Sequence, residues 1–166
     1  MEEKLVFRKL DGTHIGDVEK YVKDWVKENP YGEVIIGCDS QIHSRRIKYA
    51  ILIVMHRVDR TGTGHGCHVL LADVWIKRMM KSQIDEMPSK LWKEAEFALQ
   101  AAEMVNGKDE FFKKRITVHL HFNSVEKEKS NMMYAAGIGL LQSAGYVALG
   151  KPAAKMSSNG ADHFCR

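Results

Sequence analysis

Residues 33–39 read EVIIGCD, a short unbroken apolar run that closes on a carboxylate. A strand built from such a run is covered on both faces, so the chain around it has to supply neighbouring strands and packing layers above and below. An α/β arrangement follows from this segment more than from any other.

The partners can be read on either side. Residues 4–8 (KLVFR) suit a short strand or extended arm, and Ile15, Val18, Val22, Trp25 and Val26 recur at helical spacing up to the break at Pro30. Beyond Asp39, the polar stretch SQIHSRR reads as a loop. Residues 47–58 and 67–76, joined by the Gly-rich TGTGHG, then read as an antiparallel hairpin. Pro88 and Ser89 open a helix whose face carries Leu91, Ala95, Ala98, Leu99 and Ala102 and which stops near Asn106-Gly107. Glu94 falls at the edge of that face, while Glu96 and Glu103 point outward.

RITVHLHF, residues 115–122, alternates as a strand. Ser130 is placed to cap a helix through Ser143 that Gly145 ends, and Gly137 and Gly139 within it suit close helix–sheet contact. A short strand at 145–149, a Lys151-Pro152 break and a last helix from about Ser157-Ser158 complete the order. The expectation is a five-stranded mixed sheet, with the hairpin on one side of the first core strand and parallel strands on the other. An arm and helix at about 1–30 precede it, and residues 1–166 form one domain.

The start, MEEKLVFRKLDG, lacks the basic and apolar stretches of a secretory signal, and the longest apolar run, 49–55, is far below the roughly 20 residues of a membrane span. Cys38, Cys67 and Cys165 are odd in number and scattered, which suits reduced thiols in a soluble cytoplasmic protein. A net charge of +4 permits a polyanionic partner without requiring one. His65, Cys67 and His68 lack the doubled spacing of a structural zinc site.

Asp39 is the first candidate for chemistry, because a carboxylate at the end of a buried strand is costly unless it is paired or metal-bound. The competing reading is a turn residue of the Asp-Ser pair. Asp162, in the closing SSNGADHFCR, is either a helix-dipole partner or a second site acid. His43, Arg45, Arg46 and Lys48 follow Asp39 closely enough to contact phosphates beside it, or else form a solvated hairpin edge. Lys77, Arg78 and Lys81 make another basic patch.

Together, IGCDSQIH, VHLHFN and GKP followed by SSNGADHFCR resemble the YkuK family of ribonuclease H-like proteins over most of residues 33–166. The pattern Asn159, Ala161, Asp162, Phe164, Arg166 is similar to the last helix of ribonucleases H in general. The resemblance implies a ribonuclease H-like fold and a metal-dependent nuclease acting on RNA, DNA or a hybrid. It implies carboxylates at Asp39, Glu94 and Asp162 around Mg2+ or Mn2+, since a pair of hard cations roughly 4 Å apart needs clustered oxygens.

Where the family pattern has an acid within His-x-Asp-x-Asn, this chain has His121, with Asn123 after it. Either His121 is a ligand, or Asn123 supplies an amide oxygen, or the protein binds nucleic acid without cutting it. Imidazole suits Mn2+ better than Mg2+. Ser40, His43, Arg45, Arg46 and Lys151 are the positions expected to touch nucleic acid.

Overall fold

The computed structural model describes residues 3–79, 82–120 and 127–150. The elements run β1 (Arg8–Lys9), α1 (Val18–Glu28), β2 (Glu33–His43), β3 (Arg46–Val58), β4 (Gly64–Lys77), α2 (Gln83–Asn106), α3 (Glu110–Lys113), β5 (Ile116–Leu120), α4 (Lys127–Ser143) and β6 (Val147–Gly150). The sheet order is β1-β4-β3-β2-β5-β6. β2, β3 and β4 form an antiparallel meander with β1 on its outer edge, and β5 and β6 extend the other side of β2 in parallel. The hairpin and the parallel strands therefore flank the first core strand as expected.

The sheet has six strands rather than five. The N-terminal arm supplies the extra one, because Arg8 and Lys9 pair with Leu71 and Leu70. SQIH is strand and not loop: β2 runs through Ser40, Gln41, Ile42 and His43, each paired with β3, and the reversal is confined to Ser44 and Arg45, with Ser44 at φ +48°. Its polar side chains hid the extension, since cross-strand hydrogen bonds of the backbone do not depend on apolar composition.

Helix starts also differ. α1 begins at Val18, with Asp17 accepting from the Lys20 N–H at 2.9 Å, while Ile15 lies before it and bonds back to Phe7. α2 starts at Gln83, so Pro88 lies inside the helix. Pro88 has no N–H to give, and the Ser89 hydroxyl instead donates to the Glu86 carbonyl at 3.0 Å. α4 starts at Lys127, ahead of Ser130, and the short helix α3 carried no periodic signal.

α2 is the central helix, packed on β2, β3 and β5 and against α1 and α4. Its inner face carries Ala95, Ala98, Ala101, Ala102 and Val105, all fully buried. Small residues let the helix lie close to the strands, where they meet Val34, Ile36, Cys38, Ile51, Ile53, Ile116 and Val118 in the main core. Strand alternation sends Ile35, Ala50, Leu52, Val54 and Leu71 to a second buried cluster on the opposite face. β2 is thus covered on both sides, as its composition requires.

Close approach of helix to sheet is tightest at Gly150, where a Cβ would lie 2.1 Å from the Tyr134 ring of α4. Gly139, by contrast, is exposed with nothing near it, so it does not serve the close packing expected of it. Gly150→Ala is expected to lower stability by about 1–3 kcal/mol through overpacking. The check is a lower urea midpoint at unchanged m-value.

Candidate active site around Asp39

Asp39 does not end its strand. It pairs with Ala50 of β3, and β2 continues to His43. On the other side of β2, the last pair of the parallel ladder among the described residues is Cys38 with Leu120. Asp39 follows that pair by one residue, toward the carboxyl ends of β2 and β5, and the antiparallel ladder with β3 holds its other side. In open α/β sheets ligands bind outside the carboxyl ends of the parallel strands, at a topological switch point.

Alternation turns Ser40 toward α2 and Asp39 toward the opposite face. One carboxylate oxygen of Asp39 accepts from the Ser40 N–H at 2.8 Å. On the α2 side, Glu94 is buried to 1% exposure and accepts from the Ser40 hydroxyl. Lys90, one turn earlier on α2, donates to the Ser40 carbonyl at 2.8 Å, the Ser40 hydroxyl at 2.9 Å and Glu94 Oε1 at 3.2 Å. Both contacts to Glu94, from the Ser40 hydroxyl and from Lys90, fall on Oε1. The other oxygen, Oε2, is buried and has no hydrogen-bond partner among the described residues.

The electrostatics follow from that geometry. Burial pushes the Glu94 carboxyl up to about 7; the Lys90 ammonium opposes this, and the negative charge of Asp39 adds to it. Tyr49, packed edge-on against Phe97 with ring centroids 5.1 Å apart, has its hydroxyl raised by burial and next by the charge of Glu94. Asp39 and Glu94 therefore feel one another across β2. A carboxyl that changes protonation near neutrality beside a second carboxylate is the electrostatic pattern of a reactive centre.

Among the described residues no three His, Cys, Asp or Glu side chains gather into a metal cluster. The described part supplies two carboxylates, Asp39 and Glu94, on opposite faces of β2, and Glu94 Oε2 is buried with no hydrogen-bond partner among the described residues. His121, Asn123, Lys151 and Asp162 lie outside the described residues, as does the last helix expected near Ser157.

Of the other sequence candidates, Ser40 is 7% exposed and is bound to Glu94 and Lys90, which gives it a supporting place rather than a surface one. Glu94 is fully inside and not at the edge of the helix face. Arg45 and Arg46 are exposed at the hairpin tip, and the ring of half-buried His43 lies 5.3 Å from that of Trp75. His65 is held by Asp59 at 2.7 Å and His68 by the Tyr21 hydroxyl at 2.9 Å. Lys90 was not singled out from sequence; its spacing four residues before Glu94 was the signal available.

The ribonuclease H-like family model matches residues 14–166. No curated protein matches the chain. Among solved structures it is similar to RNase H1 from the halophilic archaeon Halobacterium salinarum NRC-1, at 15% identity over 80% of this chain and 93% of that one, with a TM-score of 0.40. With the match running through the core strand, the hairpin and the helices behind them, the chain belongs to the ribonuclease H-like family.

Proposed function

We propose that this protein is a metal-dependent nuclease that hydrolyses phosphodiester bonds of RNA, DNA or a hybrid, and that within its family it belongs with the YkuK-type proteins. The observation that carries the reading is Asp39 toward the carboxyl ends of β2 and β5, coupled by charge to a buried Glu94 on the other face of β2 whose Oε2 has no hydrogen-bond partner among the described residues. Asp39, Asp162 and His121 would hold Mg2+ or Mn2+, with Asn123 as a further oxygen donor. Bound there, such ions activate water and steady the leaving oxygen of the phosphodiester.

The chain's own residues have distinct tasks in this scheme. Ser40 and Lys90 fix the Glu94 carboxyl through Oε1, so that Oε2 alone is left to take a ligand or a proton. Glu94 can exchange that proton at neutral pH, which suits general acid or base work. Arg45, Arg46 and His43 at the hairpin tip, with Lys151, hold phosphates flanking the reacting one.

Cleavage of labelled RNA, DNA and hybrid duplexes with Mg2+, with Mn2+ and with chelator tests the reading. Metal-dependent cleavage of at least one substrate is expected, together with calorimetric Mn2+ binding. A second reading, binding without cutting, is favoured by the Lys90 ammonium already seated on Glu94 and by His121 in place of an acid. No metal uptake at millimolar concentration, with salt-dependent nucleic-acid binding retained, would decide for it.

A further inference from the structure

Two residues beyond the Asp39–Ala50–Asp73 row, on the same face of the sheet, stands the row Gln41–Lys48–Trp75, and beyond that His43–Arg46–Lys77. Trp75 is 47% exposed. Its ring is propped by His43, at 5.3 Å between centroids and 54° between planes, and by the Lys48 ammonium 5.9 Å from the ring centroid. A half-exposed indole on β4, packed against side chains of β2 and β3 and still open to solvent, is a flat apolar surface in search of a flat partner.

Charge says which partner. Arg46 and Lys77, in the next row on the same face, are exposed, as is Arg45 at the hairpin turn. The nearest acid on that face other than Asp39 is Asp73, and Arg8 and Lys48 both pair with it. The surroundings of Trp75 are therefore cationic, whereas the row at Asp39 is not. From strand spacing and rise, Trp75 lies about 12 Å from Asp39, within a few nucleotides along a single strand. Aromatic faces flanked by Lys and Arg bind bases that are free of a duplex stack, because every base has a π-face and its phosphates meet the cations.

We propose that Trp75, supported by His43 and Lys48 and with Arg46 and Lys77 in the next row, is a base-stacking subsite for single-stranded nucleic acid leading to the Asp39 centre. This deepens the nuclease reading by assigning its substrate a single-stranded segment on the hairpin side. RNA and DNA share the chemistry, and paired oligonucleotides of each separate them.

The test uses the full chain with fluorescein-labelled uridine and thymidine oligonucleotides and a duplex control, read by anisotropy and by quenching of tryptophan emission. Trp75→Ala is expected to raise the Kd for single strands by about 5- to 100-fold, with little change in salt slope, and to remove most of the quenching. Trp75→Phe should keep affinity within about threefold, since a stacking ring remains. Arg46→Ala with Lys77→Ala should instead lower the salt slope by about 1.4.

Unchanged single-strand affinity in Trp75→Ala, or failure of the wild type to bind single strands, overturns the subsite. So does a change of oligomeric state in Trp75→Ala without loss of affinity, which would assign the patch to a protein interface. The two proposals fail separately. If no substrate is cut while Trp75→Ala still weakens binding, the nuclease reading falls and the subsite stands; Asp39-dependent cleavage with Trp75→Ala affinity unaltered gives the reverse.

Discussion

Asp39→Asn lowers metal-dependent cleavage by at least about 100-fold, because stabilisation by a bound cation is worth several kcal/mol and each 1.36 kcal/mol is a factor of ten in rate. The substitution keeps the shape and an oxygen that accepts from the Ser40 N–H, so the β2–β3 ladder is undisturbed and stability stays within about 1 kcal/mol of the wild type. The charge is what disappears. Since Asp39 raises the Glu94 pKa, its removal also moves the acid limb of any residual pH profile downward. Equal cleavage by wild type and Asp39→Asn removes Asp39 from the site. A crystal structure with Asp39 and Asp162 oxygens more than about 10 Å apart would do the same, since a shared dinuclear centre cannot span that distance.

The architecture could be read from the chain because its signals were local. EVIIGCD, the β-branched run after it and the TGTGHG turn each point to one element, and short connections between consecutive strands leave little choice of pairing. The Asp39 position was visible for the same reason, as a charge at the end of an apolar run. Where the reading stopped short, a tertiary contact outweighed composition. Ser40–His43 looks like a loop and is strand because β3 lies beside it. Pro88 looks like a helix start and is interior because Gln83 and the residues after it already form the helix. Glu94 looks like an edge-of-face residue and is buried, where Ser40 and Lys90 both bond its Oε1. Trp75 offered no pattern at all, since its setting is made by residues from three strands.

Lys90→Met is expected to cost about 2 kcal/mol at pH 8 and under about 1 kcal/mol at pH 5, a penalty that grows with pH because of how Glu94 titrates. Lys90 is 11% exposed and Glu94 1%, so the pair is buried, and removing one partner of such a pair strands the other charge. Glu94 has an escape: it can take up a proton. Its folded pKa of about 7 already lies above its ordinary 4.5, so the folded state holds the proton more tightly than the unfolded state does. This contribution to stability is complete below pH 4.5 and is lost as pH rises to 7, at about 1.36 kcal/mol per unit. Without the Lys90 ammonium the folded pKa moves higher still, and the loss continues past pH 7. At pH 5 the carboxyl is neutral in either protein, and only the Lys90 hydrogen bonds to Ser40 and to Glu94 Oε1 are missed. Glu94→Gln, which never ionises, should be more stable than the wild type at pH 8, and the Lys90→Met, Glu94→Gln double variant should recover most of the single variant's deficit. Chelator-treated protein, urea unfolding and a pH series from 5 to 8.5 make the measurement. A Lys90→Met penalty that is flat across that series means that the ion pair with Glu94 is not what Lys90 contributes to the fold.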